Sequence, residues 1–131
     1  MLRQLGRHYE ALRAYDSALS IDSRFALAWN GKGNTLYHLN NYPEALQAYE
    51  RALQLNPRLT TAWHNKALVL NRMRRYAEAL VAAEEAIRLR KDDPDHWLRK
   101  AEALKGLKRK QEAHEAEDQA KLLRSSAVVN Y

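Results

Sequence analysis

The chain has 131 residues, with 22 Lys and Arg against 16 Asp and Glu for a net charge of +6, and contains no Cys. One domain-sized core is all that this length supports, the absence of thiols excludes disulfides, thiolate metal sites and cysteine nucleophiles, and no uncharged run approaches a membrane span. Ala, Leu, Glu, Lys and Arg make up 73 residues while Val, Ile and Thr make up nine, a balance that favours helix over sheet.

The predicted elements, in chain order, are a helix over about 9–21 and then three helix pairs, at about 26–39 with 43–55, 60–73 with 77–90, and 94–106 with 110–124. Their basis is a fixed period. Trp29, Trp63 and Trp97 stand 34 residues apart, each followed at +4 by a small residue (Gly33, Ala67, Ala101) and at +7 by Leu36, Leu70 or Leu104. Ala45, Ala79 and Ala113 follow, then Ala52, Ala86 and Ala120, in the same phase. Offsets of 0, +4 and +7 lie on one helical face, and the small residues let two helix backbones approach. Asn56-Pro57 and Asp92-Asp93-Pro94 punctuate the repeats, since Pro and Asx residues stop one helix and start the next.

The run Ala28-Trp29-Asn30-Gly31-Lys32-Gly33-Asn34, with Tyr42-Pro43-Glu44-Ala45-Leu46, Tyr49, Ala52-Leu53 and Asn56-Pro57, resembles the tetratricopeptide repeat signature. The resemblance covers nearly the whole chain. It implies an all-α, right-handed α-solenoid (superhelix) of about three and a half helix-turn-helix units. The expected division of the single domain 1–131 is a half repeat at 1–25 holding a second helix, repeats at 26–59, 60–93 and 94–127, and a tail at 128–131. The helix from Gln111, rich in Glu, His and Lys, suits a polar cap. At the other end only Met1 to Leu5 remain of a first helix, so Leu12, Tyr15 and Leu19 are expected to lie partly open as an association edge. Two readings stand there, a fragment of a longer repeat protein and an edge that pairs with a second copy.

No catalytic constellation is legible. The five His show no His-Glu-x-x-His pattern, the Ser residues lack acid–base partners, and His114 with Glu115, Glu117 and Asp118 reads as a solvated cap face before it reads as a metal site. The chain is therefore read as non-enzymatic, without metal or cofactor. The start MLRQLGRHYE has no apolar signal segment, so a cytoplasmic location is expected.

Function is then recognition. Beside the buried Trp stripe lie Leu27, Asn30, Asn34, Tyr37 and His38, then Thr61, His64, Asn65, Leu68, Asn71 and Arg72, then Asp95, Leu98, Arg99, Glu102 and Lys105. The resemblance implies that such first-helix positions line a concave groove. Asn30, Asn34, Tyr37, His64, Asn65, Arg72, Arg99 and Lys105 are the expected groove residues. Amides suit the donor and acceptor of an extended peptide, and the cations favour an acidic partner. The carboxylate clamp of some co-chaperones of this family is matched at Asn34, Asn65 and Arg99, but Asn30 and Asp95 stand where its two lysines belong. A second class of partner, nucleic acid (RNA), is suggested by two basic runs between predicted helices, Arg72-Met73-Arg74-Arg75 and Lys105-Gly106-Leu107-Lys108-Arg109-Lys110, whose binding would weaken with salt.

Overall fold

The computed structural model describes residues 2–129, with side chains for residues 4–126. Its helices are α1 (Leu2–Ile21), α2 (Ala26–His38), α3 (Tyr42–Leu55), α4 (Thr60–Arg72), α5 (Tyr76–Leu89), α6 (Pro94–Gly106) and α7 (Lys110–Val129). No strand occurs among the described residues. They fall into two compact units, the first ending at Asn65 and the second beginning at Lys66.

The turn between the two helices of each pair is built the same way three times. Asn40, Arg74 and Lys108 take φ of 63°, 61° and 63°, the left-handed conformation that lets a following amide reach back over the helix end. The Asn41 amide donates to the Leu36 carbonyl at 2.8 Å, Arg75 to Leu70 at 2.9 Å and Arg109 to Leu104 at 2.9 Å. Between pairs, the indole fixes the connection. Trp29 Nε1 donates to the Ser23 carbonyl at 2.9 Å, Trp63 Nε1 to Pro57 at 2.7 Å and Trp97 Nε1 to Lys91 at 2.9 Å. Each Trp thus packs its ring and also satisfies a loop carbonyl six residues upstream. The Asp93 carboxylate caps α6 by accepting from the Asp95 amide at 2.9 Å, with Pro94 opening the helix.

In the first unit Ala45, Ala48, Tyr49 and Ala52 of α3 are buried, and Ala52, Leu53 and Ala62 form a cluster against Trp29, Leu59 and Trp63. The Tyr49 ring lies so near Gly33 that an alanine methyl there would meet it at 2.5 Å. In the second unit Ala79, Ala83 and Ala86 of α5, Ala101 and Leu104 of α6, and Ala113, Ala116 and Ala120 of α7 are buried. Both units repeat one polar device. Lys32 sits 5.4 Å from the Trp29 ring centroid and 2.7 Å from Asp16 Oδ1, and Lys100 sits 5.3 Å from the Trp97 ring and 3.7 Å from Glu84 Oε2. An ammonium between an indole face and a carboxylate of the preceding second helix joins two helices at the surface.

The N-terminal end differs from the sequence expectation. α1 begins at Leu2 and runs unbroken through Gly6, which is in register with Asn40, Arg74 and Lys108 but has no positive φ. A break there would surrender helical hydrogen bonds without gaining a packed surface. Leu19 is 9% exposed, and the Tyr15 ring rests on Gly31 of α2, where a methyl would meet it at 2.3 Å. Leu19 is therefore not open as an association edge, whereas Tyr15, with its ring on α2, is half-buried and so partly open. Leu12 is half-buried, and the large apolar side chains exposed on α1 are Leu5, Tyr9 and Ile21. At the other end α7 continues past the expected 124, so Val128 and Val129 of the expected tail belong to it; Met1, Asn130 and Tyr131 lie outside the described residues. No helix among the described residues is long and apolar enough to cross a membrane.

Candidate functional site on the first-helix faces

In the first unit, Asn30, Asn34 and Tyr37 project from α2, and Thr61, His64 and Asn65 from the start of α4. Asn65 Nδ2 donates to Asn30 Oδ1 at 3.2 Å, and Asn30 Nδ2 donates onward to Thr61 Oγ1 at 3.1 Å. Asn30 is 8% exposed, so this amide braces α2 against α4 with both its ends engaged. It does not stand as the open peptide-reading position expected from the sequence. Asn34 Oδ1 accepts from Tyr49 Oη at 2.7 Å. Burial, with Tyr37 adding to it, raises the Tyr49 phenol well above its ordinary range, which keeps Tyr49 a neutral donor and fixes the orientation of the Asn34 amide. What remains toward solvent is the Asn34 Nδ2 donor and the Asn65 Oδ1 acceptor, on half-buried side chains. Tyr37 packs edge-on to His38, with ring centroids 5.5 Å apart, and against Tyr42 at 5.4 Å. His38 in turn stacks on His8 at 5.4 Å. His64 is half-buried.

The second unit presents a charged counterpart. Asn71, 6% exposed, donates through Nδ2 to the Arg99 carbonyl at 3.2 Å and to Glu102 Oε1 at 3.0 Å. Two acceptors on one nitrogen settle which way this amide points. Its Oδ1 and Arg99 Nε are buried without a hydrogen-bond partner among the described residues. Arg99 Nη1 stands 4.0 Å from Glu102 Oε1, and Lys105 Nζ donates to Glu117 Oε2 at 2.8 Å. The Lys105 ammonium, and then His114, hold the Glu117 carboxyl below its ordinary range. Arg72 is exposed at the end of α4, and Asp95 faces Arg124 at 3.7 Å. Asn71 is the residue whose role sequence reasoning missed. Its position beside the Trp stripe was legible, but its burial under Arg99 and Glu102 depends on which rotamers the neighbouring helix permits.

His114 Nδ1 lies 3.4 Å from Glu117 Oε1, and among the described residues no three His, Asp or Glu converge as a metal site. A cleft of ≈ 490 Å³ in the second unit, lined by Leu80, Trp97, Lys100, Leu104, Arg109 and Glu112 among others, contains none of the face residues.

Repeated helix pairs locked by identical turns and indole bonds define an all-α solenoid of helix-turn-helix units. The tetratricopeptide repeat profile matches residues 26–59, and a second profile of the same description matches 60–103. The chain belongs to the tetratricopeptide repeat family. Among solved structures it is similar to MamA, with a TM-score of 0.89 at 20% identity over 98% of this chain and 75% of that one. It is also similar to the Arabidopsis OM64 TPR domain, with a TM-score of 0.73 at 24% identity over 75% of this chain and 81% of that one. The second TPR of Spaghetti (RPAP3), solved bound to the HSP90 peptide SRMEEVD, gives a TM-score of 0.73 at 22% identity over 75% of this chain and 91% of that one. At these identities the likeness is one of fold. A comparison with curated proteins returns no match.

Proposed function

We propose that the chain is a non-enzymatic protein-interaction scaffold that holds an extended, acidic peptide segment against its first-helix faces. The observation that carries this reading is the pair of amides in the first unit. Asn34 and Asn65 each have one end fixed by an internal hydrogen bond, leaving one donor and one acceptor set in advance, the complement of a peptide unit. Preorganised groups lose little entropy on binding. The acidic preference rests on Arg72, Arg99 and Lys105. Arg99 and Lys105 share their charge with Glu102 and Glu117, and such partly exposed pairs contribute little, so a partner carboxylate can exchange for the internal one. A peptide held this way requires no cofactor. In the neighbouring Spaghetti domain the bound peptide, SRMEEVD, has three acidic residues and one basic.

Fluorescence polarisation with labelled SRMEEVD tests the reading, alongside its C-terminally amidated form and a form with both Glu changed to Gln. Asn30 and Asp95 replace the two lysines of a carboxylate clamp, so amidation is expected to change little while the Glu-to-Gln form binds more weakly. Asn34→Ala and Arg99→Ala should each weaken binding about three- to tenfold, the scale of one hydrogen bond. Binding insensitive to charge and to both substitutions would reject the face as the site.

A further inference from the structure

The second unit gathers positive charge at two neighbouring turns. Tyr76, the first residue of α5, lays its ring on Gly106, the last residue of α6, so closely that a methyl there would meet it at 2.3 Å. The turn before α5 and the turn after α6 are therefore adjacent. Seven cations stand exposed on or beside them, at 72, 74, 75, 105, 108, 109 and 110. Arg75 is held by Glu78, Arg109 by Glu112 and Lys105 by Glu117. Arg74, Lys108 and Lys110 have no ion-pair partner among the described residues. Arg74 and Lys108 also occupy the left-handed positions, with φ of 61° and 63°, where Gly or Asn is the least strained choice. The first unit uses Asn40 there. Two strained residues thus place guanidinium and ammonium groups at the tips of adjacent turns, and strain retained in this way points to function.

We infer that these two turns form a docking ridge for the phosphate backbone of a nucleic acid, bound without regard to base sequence. None of the exposed large apolar side chains lies within residues 72–76 or 105–110. The ridge therefore offers no fully exposed aromatic platform for base stacking, its one ring being the half-buried Tyr76 on Gly106, and no exposed apolar wedge for a membrane interface. Exposed cations gathered on two adjacent turns complement the charge of a phosphate chain. The ridge cations Arg74, Lys108 and Lys110 are not among the residues proposed to hold the peptide.

The test is fluorescence anisotropy on the full chain with labelled duplex DNA of about 20 base pairs and single-stranded RNA of about 20 nucleotides, across salt concentrations. With three phosphates neutralised, the slope of log affinity against log salt should be about −2 to −3. Arg74→Gly with Lys108→Gly should bring the slope to about −1 and weaken binding about tenfold at 50 mM salt. Because glycine relieves the strain at both positions, this variant melts at a higher temperature than the parent, and lost binding is then not lost folding. Arg13→Gln with Arg58→Gln removes the same charge elsewhere and should leave binding within about twofold. Equal binding by the glycine variant, equal loss in the charge control, or no nucleic-acid binding at all would overturn the proposal. So would tighter, ridge-dependent sedimentation with phosphatidylcholine vesicles containing about 30% phosphatidylserine, which would assign the ridge to a lipid surface.

Discussion

Asn40, Arg74 and Lys108 share one backbone conformation but differ in how well they suit it. A left-handed residue with a Cβ is strained by about 1–2 kcal/mol, least for Asn, so Arg74→Gly and Lys108→Gly should each stabilise the fold by about 1 kcal/mol. Thermal unfolding followed by circular dichroism should show the midpoint rising roughly 2–5 °C for each change; a fall would mean that these side chains make contacts outweighing the strain. The indoles lead to a second expectation at the same scale. Trp97→Phe keeps an apolar ring but removes the bond to the Lys91 carbonyl. It should destabilise by about 1–2 kcal/mol, the lost bond and lost volume together, and chemical denaturation measures this directly. The period of 34 was legible from the Trp spacing alone. The indole bond was not, because a spacing says which residues are equivalent and not which carbonyl lies within reach of Nε1.

At the scale of elements, sequence and structure agree where punctuation and apolar period coincide, as at Asn56-Pro57 and Asp92-Asp93-Pro94. They part at α1, where Gly6 stands in register with the turn residues Asn40, Arg74 and Lys108 but the helix runs through it. A glycine inside a helix weakens it by roughly 0.5–1 kcal/mol relative to Ala, and nothing lies within 4 Å of a Cβ built at Gly6. Gly6→Ala should therefore stabilise the protein and raise its helical circular dichroism signal. If the segment instead turns at Gly6 with positive φ, the same substitution destabilises it, so the sign of the change decides between helix and turn. The candidate face was legible only as a list of positions. That Asn30 and Asn71 turn inward while Asn34 and Asn65 keep one amide end open follows from partners on other helices, which helical spacing cannot supply.

For the whole molecule, the pH dependence of stability is set by groups that the structure perturbs, and none of these was legible as perturbed in the sequence. His96 on α6 is 4% exposed. Burial lowers its pKa below the ordinary 6.5, opposed by the nearby Asp93, Asp95 and Asp92 carboxylates and reinforced by Arg90. In the window just under pH 6.5 the unfolded chain therefore binds more protons than the folded one, and stability must fall as pH falls through that window. The fall ends below the folded-state pKa, where both states are protonated. The Arg75, Arg109 and Lys105 partners lower the carboxyls of Glu78, Glu112 and Glu117 respectively. Their contribution is present above the ordinary 4.5 and is lost as pH drops through their folded-state values, and it is small because the pairs are exposed. Melting temperatures should thus hold level between about pH 7 and 9, decline as pH falls below about 6.5, decline again in the acid range, and decline in the alkaline range as the unfolded-state Tyr49 ionises near its ordinary 10. His96→Gln removes the upper decline and leaves the acid one, which separates the buried imidazole from the surface carboxylates. An unchanged decline just below pH 6.5 in that variant would transfer the effect to another group.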